Sequence, residues 1–494
     1  MLQEIIKKNL TTILAVAAAT LFLRLLTHRR RGIPPGPWLT LPIIGNLLQV
    51  SRDPIRSFRK MRKKYGDVFS VYFANRLVIA VNGFEMMREA FVRNGEFFSD
   101  RPNVFIIDLI TNHKGIIGSS GEVWKEQRKL TLMTLRHLGM GKNLLEGSIQ
   151  TEATALVEEL AKTKGQPIDV NELISTSVSN ILSSIVFGKR YEFDDPNFIK
   201  FLKVVEKTLG TSPVLTFFPY LRFLPGDLFG FKRMKHDVDM VLTELVDVSI
   251  DQHLADYDEN NINDFISAYL KEMKLKQSQG ETKTSVDRSN LRMTIWNLFI
   301  AGTETTATTI RWLLLYFLHF PEVQERCFAE IRDHVGCDRE ICIKDKTELP
   351  YLEATILETL RFADIAPISG MHCVSQETML NGYRIPTDAI ILPVLDSVLS
   401  DPQVWGDPEN FRPDRFLDEN AHLTKPEEHI PFLFGPRNCV GESLARMELF
   451  LFVATMVQKF EFLRLKGKAL PELESVAGFR QFPNDYMLRA VLRE

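Results

Sequence analysis

One stretch near the carboxyl end constrains this chain more than any other: Pro431-Phe-Leu-Phe-Gly-Pro-Arg-Asn-Cys-Val-Gly-Glu-Ser-Leu-Ala-Arg446. It sets a single cysteine, Cys439, on a loop relieved by glycine and runs straight into an apolar helical pattern. Unpaired N–H groups in the first turn of a helix favour negative charge on sulfur, which predicts a lowered thiol pKa. Gly435 and Gly441 remove side chains where something large and flat must approach the backbone. A haem ring meets that requirement, with Cys439 as its axial thiolate ligand. The bland alternative is a buried structural cysteine, the usual fate of a single Cys. Phe432, Gly435, Arg437, Cys439 and Gly441 spell F-x-x-G-x-R-x-C-x-G, and so many fixed positions in one short window favour haem over chance.

Composition narrows the rest. The chain has 494 residues, 45% of them hydrophobic, enough for a large core in one sizeable domain or in two or three. A formal charge of only −3 argues against nucleic acid as a partner, since phosphate binding wants a basic excess. The five cysteines (Cys327, Cys337, Cys342, Cys373 and Cys439) include no C-x-x-C pair. Neither a disulfide framework nor a zinc site is signalled, and a reducing compartment is the simplest fit.

The amino terminus reads as a membrane anchor. Asn9 to Leu23 carry no charge, Arg24 follows, and Leu25, Leu26 and Thr27 lead into His28-Arg29-Arg30-Arg31. That run is short beside the roughly twenty residues of a membrane-spanning helix. Arg24 can snorkel and extend the span through Thr27. A cleaved signal peptide is the rival, supported by Ala17-Ala18-Ala19. The heavier basic cluster follows the apolar run, however, which favours an uncleaved anchor with a cytosolic body. Gly32-Ile-Pro-Pro-Gly-Pro37 then forms a stiff connector that cannot be helical. The domain reading is an anchor with its basic cluster over 1–31, a hinge over 32–37, and a haem-binding catalytic body over 38–494.

That body is mainly α with a small β portion. Helical periodicity covers 145–163, 236–257, 288–320, 350–362 and 441–460. Val68 to Val81 predicts a hairpin broken at Ala74-Asn75-Arg76, and Tyr383 to Leu395 another strand region. Lys274 to Arg288 reads as a solvated loop. Thr216 to Pro225 is aromatic and proline-broken, and packs into the core or forms an apolar patch that meets a membrane or gates a pocket.

Two further constellations sit on helices. Asn290 to Phe320 has Ala301-Gly-Thr-Glu-Thr-Thr306 at its centre, and helical spacing predicts Ala301, Glu304, Thr305 and Thr308 on one face. An acid and hydroxyls in an apolar helix are costly to bury without purpose, and Gly302 leaves room for a distortion or an inserted water. Such parts suit proton delivery to dioxygen; the alternative is hydroxyls bonded back to carbonyls and Glu304 facing solvent. Glu358 and Arg361 stand at i, i+3, ordinarily a surface ion pair worth well under about 1 kcal/mol. Trp124 and Arg128 are one turn apart and Arg101 precedes them, donors of the kind that carboxylates such as haem propionates accept from.

Taken in order, these motifs resemble the cytochrome P-450 haem-thiolate monooxygenases of the animal microsomal family-2 type. The resemblance covers essentially the whole chain, from Pro34-Pro35-Gly36-Pro37 through Trp124-Lys-Glu-Gln-Arg128, Ala301–Thr306, Glu358-Thr-Leu-Arg361 and Phe411-Arg-Pro-Asp-Arg-Phe416 to the Cys439 loop. It implies the P-450 fold, with a long central helix across haem b. It makes Cys439 the iron ligand, Phe432 the shield of its sulfur, and Gly441 and Ala301 neighbours of the ring. It assigns the propionates to Arg101, Trp124, Arg128, His372 and Arg437, proton handling to Glu304 and Thr305, and a buried charge triad to Glu358, Arg361 and Arg415. Asp414 stands where Glu is commoner in the family and keeps the charge. Because the chain has no dinucleotide fingerprint and no length for a flavin domain, electrons are expected from NADPH-cytochrome P-450 reductase at the endoplasmic reticulum membrane, with cytochrome b5 as an additional partner. Lys125, Lys129 and Arg136 are candidates for that docking face, or simply a solvated helix face. The substrate is expected to be a lipophilic small molecule, a fatty acid, steroid or xenobiotic, bound around Pro102–Gly118, Phe217–Leu224, Ala301, Thr305, Ile365–Ser369 and Phe479. The rival readings are a peroxide isomerase or dehydratase on the same scaffold and a haem carrier without catalysis.

Overall fold

A computed structural model describes Ala15 and residues 31–50, 53–105, 108, 111–140, 145–209, 214–475 and 480–493. Apart from Ala15 and Arg31 the expected anchor lies outside the described residues, as does Phe479. Among the described residues no helix is long and apolar enough to cross a membrane.

The strands are β1 (Val68–Phe73), β2 (Arg76–Val81), β3 (Pro167–Ile168), β4 (Thr378–Leu380), β5 (Tyr383–Ile385), β6 (Ile390–Pro393), β7 (Phe460–Leu463) and β8 (Leu488–Leu492). The helices that build the site and its supports are α1 (Pro54–Tyr65), α2 (Gly121–His137), α3 (Glu146–Lys162), α4 (Asn171–Phe187), α5 (Pro196–Leu209), α6 (Arg288–His319), α7 (Pro321–His334), α8 (Pro350–Ala363) and α9 (Glu442–Lys459). The backbone gathers into two compact units, one of residues up to Pro102 with Ile368–Ser397, the other of Asn103–Pro367 with Val398–Glu494.

The first unit is built on a small sheet. β1 and β2 form the expected hairpin, with Val68 opposite Val81 and Phe73 opposite Arg76, and β6 joins β2 in parallel. Ala74 turns the hairpin in the left-handed region at φ 52°. The strand expected over Tyr383–Leu395 is two: β5 pairs with β4, and β6 belongs to the main sheet. Before it, α1 starts at Asp53, whose carboxylate accepts from the Arg56 N–H at 2.9 Å, with Pro54 at the first helical position. Arg62, Lys63 and Lys64 in its last turn complement the helix dipole.

The second unit is a helical body with a sheet of order β3-β8-β7. α6 runs through it against α4, α8 and α9. It is apolar around its circumference, with Leu291, Ile295, Trp296, Phe299, Ile310 and Leu314 all buried, as a helix enclosed by others must be. Asp287 caps it through the Asn290 N–H at 2.7 Å, and Pro321 opens the next helix directly. The distortion expected at Gly302 is absent, and the helix is continuous through it. Glycine is there for packing: a Cβ would come within 2.8 Å of Leu182 Cδ1 on α4.

Two other expectations change. The helical run expected over 236–257 begins at Phe231 and carries a wide turn over Leu242–Asp247 before continuing to Ala255. The polar segment from Lys274 is helical as far as Ser278, because the helix Phe265–Ser278 is capped by Asp264 and Lys276 pairs with Glu126 and Glu281. The aromatic run divides: Leu215, Thr216 and Phe217 are buried, while Tyr220, Phe223 and Leu224 are exposed.

Candidate active site

The Cys439 loop is shaped by its backbone. Leu433 and Gly435 are left-handed at φ 56° and 81°, a conformation that favours glycine at 435. The Cys439 N–H donates to the Phe432 carbonyl at 3.1 Å and the Asn438 N–H to Gly435 at 3.1 Å, closing the turn. The Phe432 ring takes the Arg446 guanidinium over its face at 4.9 Å. At Gly441 φ is −91°, which any residue adopts, and a Cβ would meet no atom of the described residues within 4 Å. Gly441 thus borders open space, whereas Gly435 answers to the backbone.

Among the described residues no side chain caps α9, and the Gly441 and Glu442 N–H groups turn toward the Cys439 sulfur. The expected lowering of the thiol pKa does not follow. Desolvation by the surrounding protein outweighs those two hydrogen bonds and the nearby Arg128, and the Glu442 carboxylate adds to it, so the thiol is pushed up. Solvent still reaches the residue, although the protein around its thiol is dense. A bound metal cation reverses this balance and deprotonates a coordinating thiol outright.

Around the loop stand three of the expected donors. Arg128 on α2 donates to the Asn438 carbonyl at 2.8 Å and to its side-chain oxygen at 2.6 Å. Arg437 donates to the carbonyls of Ile116 at 3.1 Å and Ser119 at 2.6 Å, and its guanidinium lies 3.9 Å from the centre of the Trp124 ring. Trp124 is buried, and its indole N–H has no acceptor among the described residues. A buried donor of that kind requires a partner, and a ligand carboxylate suits it, so these residues fit a haem propionate.

Asn297, which sequence reasoning passed over, ties this frame to α6. Its side-chain oxygen accepts the N–H groups of Ile116 and Ile117, each at 2.9 Å, one turn before Ala301. A buried amide in an apolar helix was the available signal. Arg101 and His372 belong to the first unit, where Cys373 N–H donates to the Asp100 carbonyl at 2.9 Å and brings the two chain segments together. There Arg101 donates to the Met371 carbonyl at 2.5 Å, and buried His372 donates from Nδ1 to Phe98 at 2.7 Å.

On α6 the expected single face divides. Ala301 and Thr305 are exposed, and the Thr305 hydroxyl donates to the Ala301 carbonyl at 2.7 Å. Glu304 and Thr308 are buried. Burial and the neighbouring Glu206 push the Glu304 carboxyl up to about 7, against the pull of Arg311 and Arg480. The solvent-facing alternative for Glu304 is thus excluded, while the back-bonding alternative for the threonine is what occurs.

Glu358, Arg361 and Arg415 form no surface pair. Arg361 grips the Glu358 carboxylate with Nε at 2.7 Å and Nη2 at 2.8 Å, and Arg415 Nε adds a third bond at 3.0 Å. All three side chains are buried to 5% exposure or less. Arg361 also donates to the carbonyls of Leu399 and Pro408, and Arg415 to that of Trp405, pinning the chain that leads toward the cysteine loop.

The profile of the cytochrome P450 family matches residues 34–489. The chain belongs to the cytochrome P450 family. It is 37% identical to Cytochrome P450 2B4 of Oryctolagus cuniculus, over 98% of this chain and 99% of that protein. It is 40% identical to Cytochrome P450 2C8 of Homo sapiens, over 93% of this chain and 94% of that one. It is 38% identical to Vitamin D(3) 25-hydroxylase of Sus scrofa, over 98% and 99%. This cytochrome P450 is therefore an oxidoreductase of the monooxygenase class with a thiolate-ligated haem.

Proposed function

We propose that this cytochrome P450 hydroxylates or epoxidises lipophilic small molecules at the endoplasmic reticulum membrane. Electrons come from NADPH-cytochrome P-450 reductase, with cytochrome b5 as a second donor, and the segment 1–31 is the anchor. The observation that carries the reading is Cys439: a solvent-accessible residue whose thiol is closely surrounded, at the amino end of α9 with two N–H groups turned toward it.

A bound thiolate-ligated haem supplies dioxygen activation and C–H oxidation. The chain's own groups hold and serve it. Cys439 is the ligand, Phe432 shields its sulfur, and Gly441 leaves the ring its approach. Trp124, Arg128 and Arg437 are propionate donors. Thr305 presents its hydroxyl on the accessible stripe with Ala301, oriented by the Ala301 carbonyl. Glu304 beside it in the chain keeps a proton near neutral pH, where proton transfer in both directions is easiest. Exposed Tyr220, Phe223, Leu224 and Leu228 support contact with lipid, from which a lipophile can enter. The name of the pig relative, a vitamin D(3) hydroxylase, supports a lipophilic substrate class.

Reduced-carbonyl spectra and turnover with NADPH, reductase and dioxygen test this. Cys439→Ser abolishes the red-shifted Soret band and monooxygenation together. Thr305→Ala keeps the band but diverts electrons to peroxide. Retention of both band and turnover in Cys439→Ser, or full coupling in Thr305→Ala, refutes the assignments.

A further inference from the structure

Arg480 belongs to no motif in the sequence, yet in the fold its charge acts on Glu304 through space. The segment 480–486 lies along α6 and is held there at several points. Gln481 N–H donates to the Ile365 carbonyl at 3.2 Å, and Trp312 Nε1 donates back to the Gln481 carbonyl at 3.1 Å. Further on, the Tyr486 hydroxyl donates to the Arg311 carbonyl at 2.6 Å, and Arg311 pairs with Asp485 at 3.4 Å. These bonds keep Arg480 close to the stretch of α6 that carries Glu304 and Thr305.

The Arg480 guanidinium makes no hydrogen bond or ion pair among the described residues, and Glu304 acts on it only through space. Solvent reaches the side chain, while the protein around it is dense enough to lower its pKa. A guanidinium stays charged under such conditions and offers a planar fork of donors that matches a carboxylate. Glu304 answers that charge only in part, since its carboxyl is raised to about 7.

Building on the proposed function, we infer that Arg480 recognises the carboxylate of the substrate, so that the lipophiles this enzyme prefers are acids of the fatty-acid class. The charged groups facing Glu304 are Glu206 from α5, Arg311 of α6 itself and Arg480. A substrate carboxylate on Arg480 brings a second anion toward Glu304 and raises its pKa further. Binding of an acid therefore takes up a proton. By linkage, affinity for the acid is full below about 7 and falls as pH rises through that value. The substrate itself thus loads the proton donor beside Thr305.

The test is calorimetric titration of the holoenzyme with palmitic acid and with its methyl ester, between pH 6 and 8.5, in two buffers of different ionisation enthalpy. The wild type should bind the acid more tightly than the ester and take up protons with the acid only. Arg480→Gln should weaken acid binding about 10- to 100-fold, the worth of a charge-assisted hydrogen bond, and leave the ester nearly unchanged. Arg480→Lys should restore part of the loss. Equal weakening of acid and ester, or unaltered acid binding in Arg480→Gln, overturns the inference. Should Arg480→Gln fail to hold haem, the wild type decides: an ester bound as tightly as the acid overturns it equally. Ester oxidation with a normal reduced-carbonyl band in every variant shows the monooxygenase reading intact, so the two failures are distinguishable.

Discussion

Replacing Glu358 by Gln keeps its volume and removes only its charge and one acceptor. The carboxylate accepts from Arg361 Nη2 at 2.8 Å, Arg415 Nε at 3.0 Å and the Arg412 N–H at 2.8 Å on Oε1, and from Arg361 Nε at 2.7 Å on Oε2. An amide oxygen can inherit the first three. The amide nitrogen then points donor to donor at Arg361 Nε, and two buried guanidiniums lose their shared anion. Breaking a buried pair in this way costs about 3–5 kcal/mol. The lower end is expected, because Arg361 keeps the Leu399 and Pro408 carbonyls and Arg415 keeps Asp407 at 3.2 Å. That is still a large share of a total stability of roughly 5–15 kcal/mol. Urea unfolding of the holoenzyme, followed by Soret absorbance and by tryptophan fluorescence, measures it. Arg326→Gln is the control: its pair with Asp414 spans 2.8 Å but both side chains are 50% exposed, so the change should cost under about 1 kcal/mol. If Glu358→Gln costs no more than that control, the triad does not lock the core and the reasoning fails.

Packing at Gly302 gives a second test. A methyl there meets Leu182 Cδ1 at 2.8 Å, a crowding cost of about 1–3 kcal/mol that exceeds the roughly 1 kcal/mol gained in helix propensity. Gly302→Ala should thus destabilise the wild type but stabilise a Leu182→Ala background; the same effect in both backgrounds removes the packing explanation. A third test uses pH. His253 bonds Asp264, the cap of the helix Phe265–Ser278, at 3.1 Å, and this hydrogen bond raises its pKa in the folded state. A raised folded pKa contributes stability that is full below the unfolded value near 6.5 and is lost as pH rises through the folded one. Thermal unfolding from pH 6 to 8.5 should show this slope in the wild type and a shallower one in His253→Gln; identical slopes contradict it.

What the sequence by itself determined was local. The cysteine window, the hairpin at Ala74-Asn75-Arg76 and the limits of α3, α6, α8 and α9 all depend on neighbours a few residues apart, so spacing and residue type suffice to place them. The family follows from the order of such windows. What only the tertiary structure decided depends on which distant groups share an environment. The Cys439 thiol is pushed up because surrounding protein outweighs the helix terminus, a contest that depends on burial. Helical spacing grouped Glu304 with Thr305, but packing buries the acid toward Glu206, Arg311 and Arg480 and leaves the threonine open. The pair Glu358–Arg361 looked like a surface contact until Arg415, more than fifty residues later, enclosed it. Gly302 looked like a weak point until Leu182 supplied the atom that requires it. Arg480, outside every motif, faces Glu304 only because the fold lays its segment along α6, and charges interact by distance through space rather than along the chain.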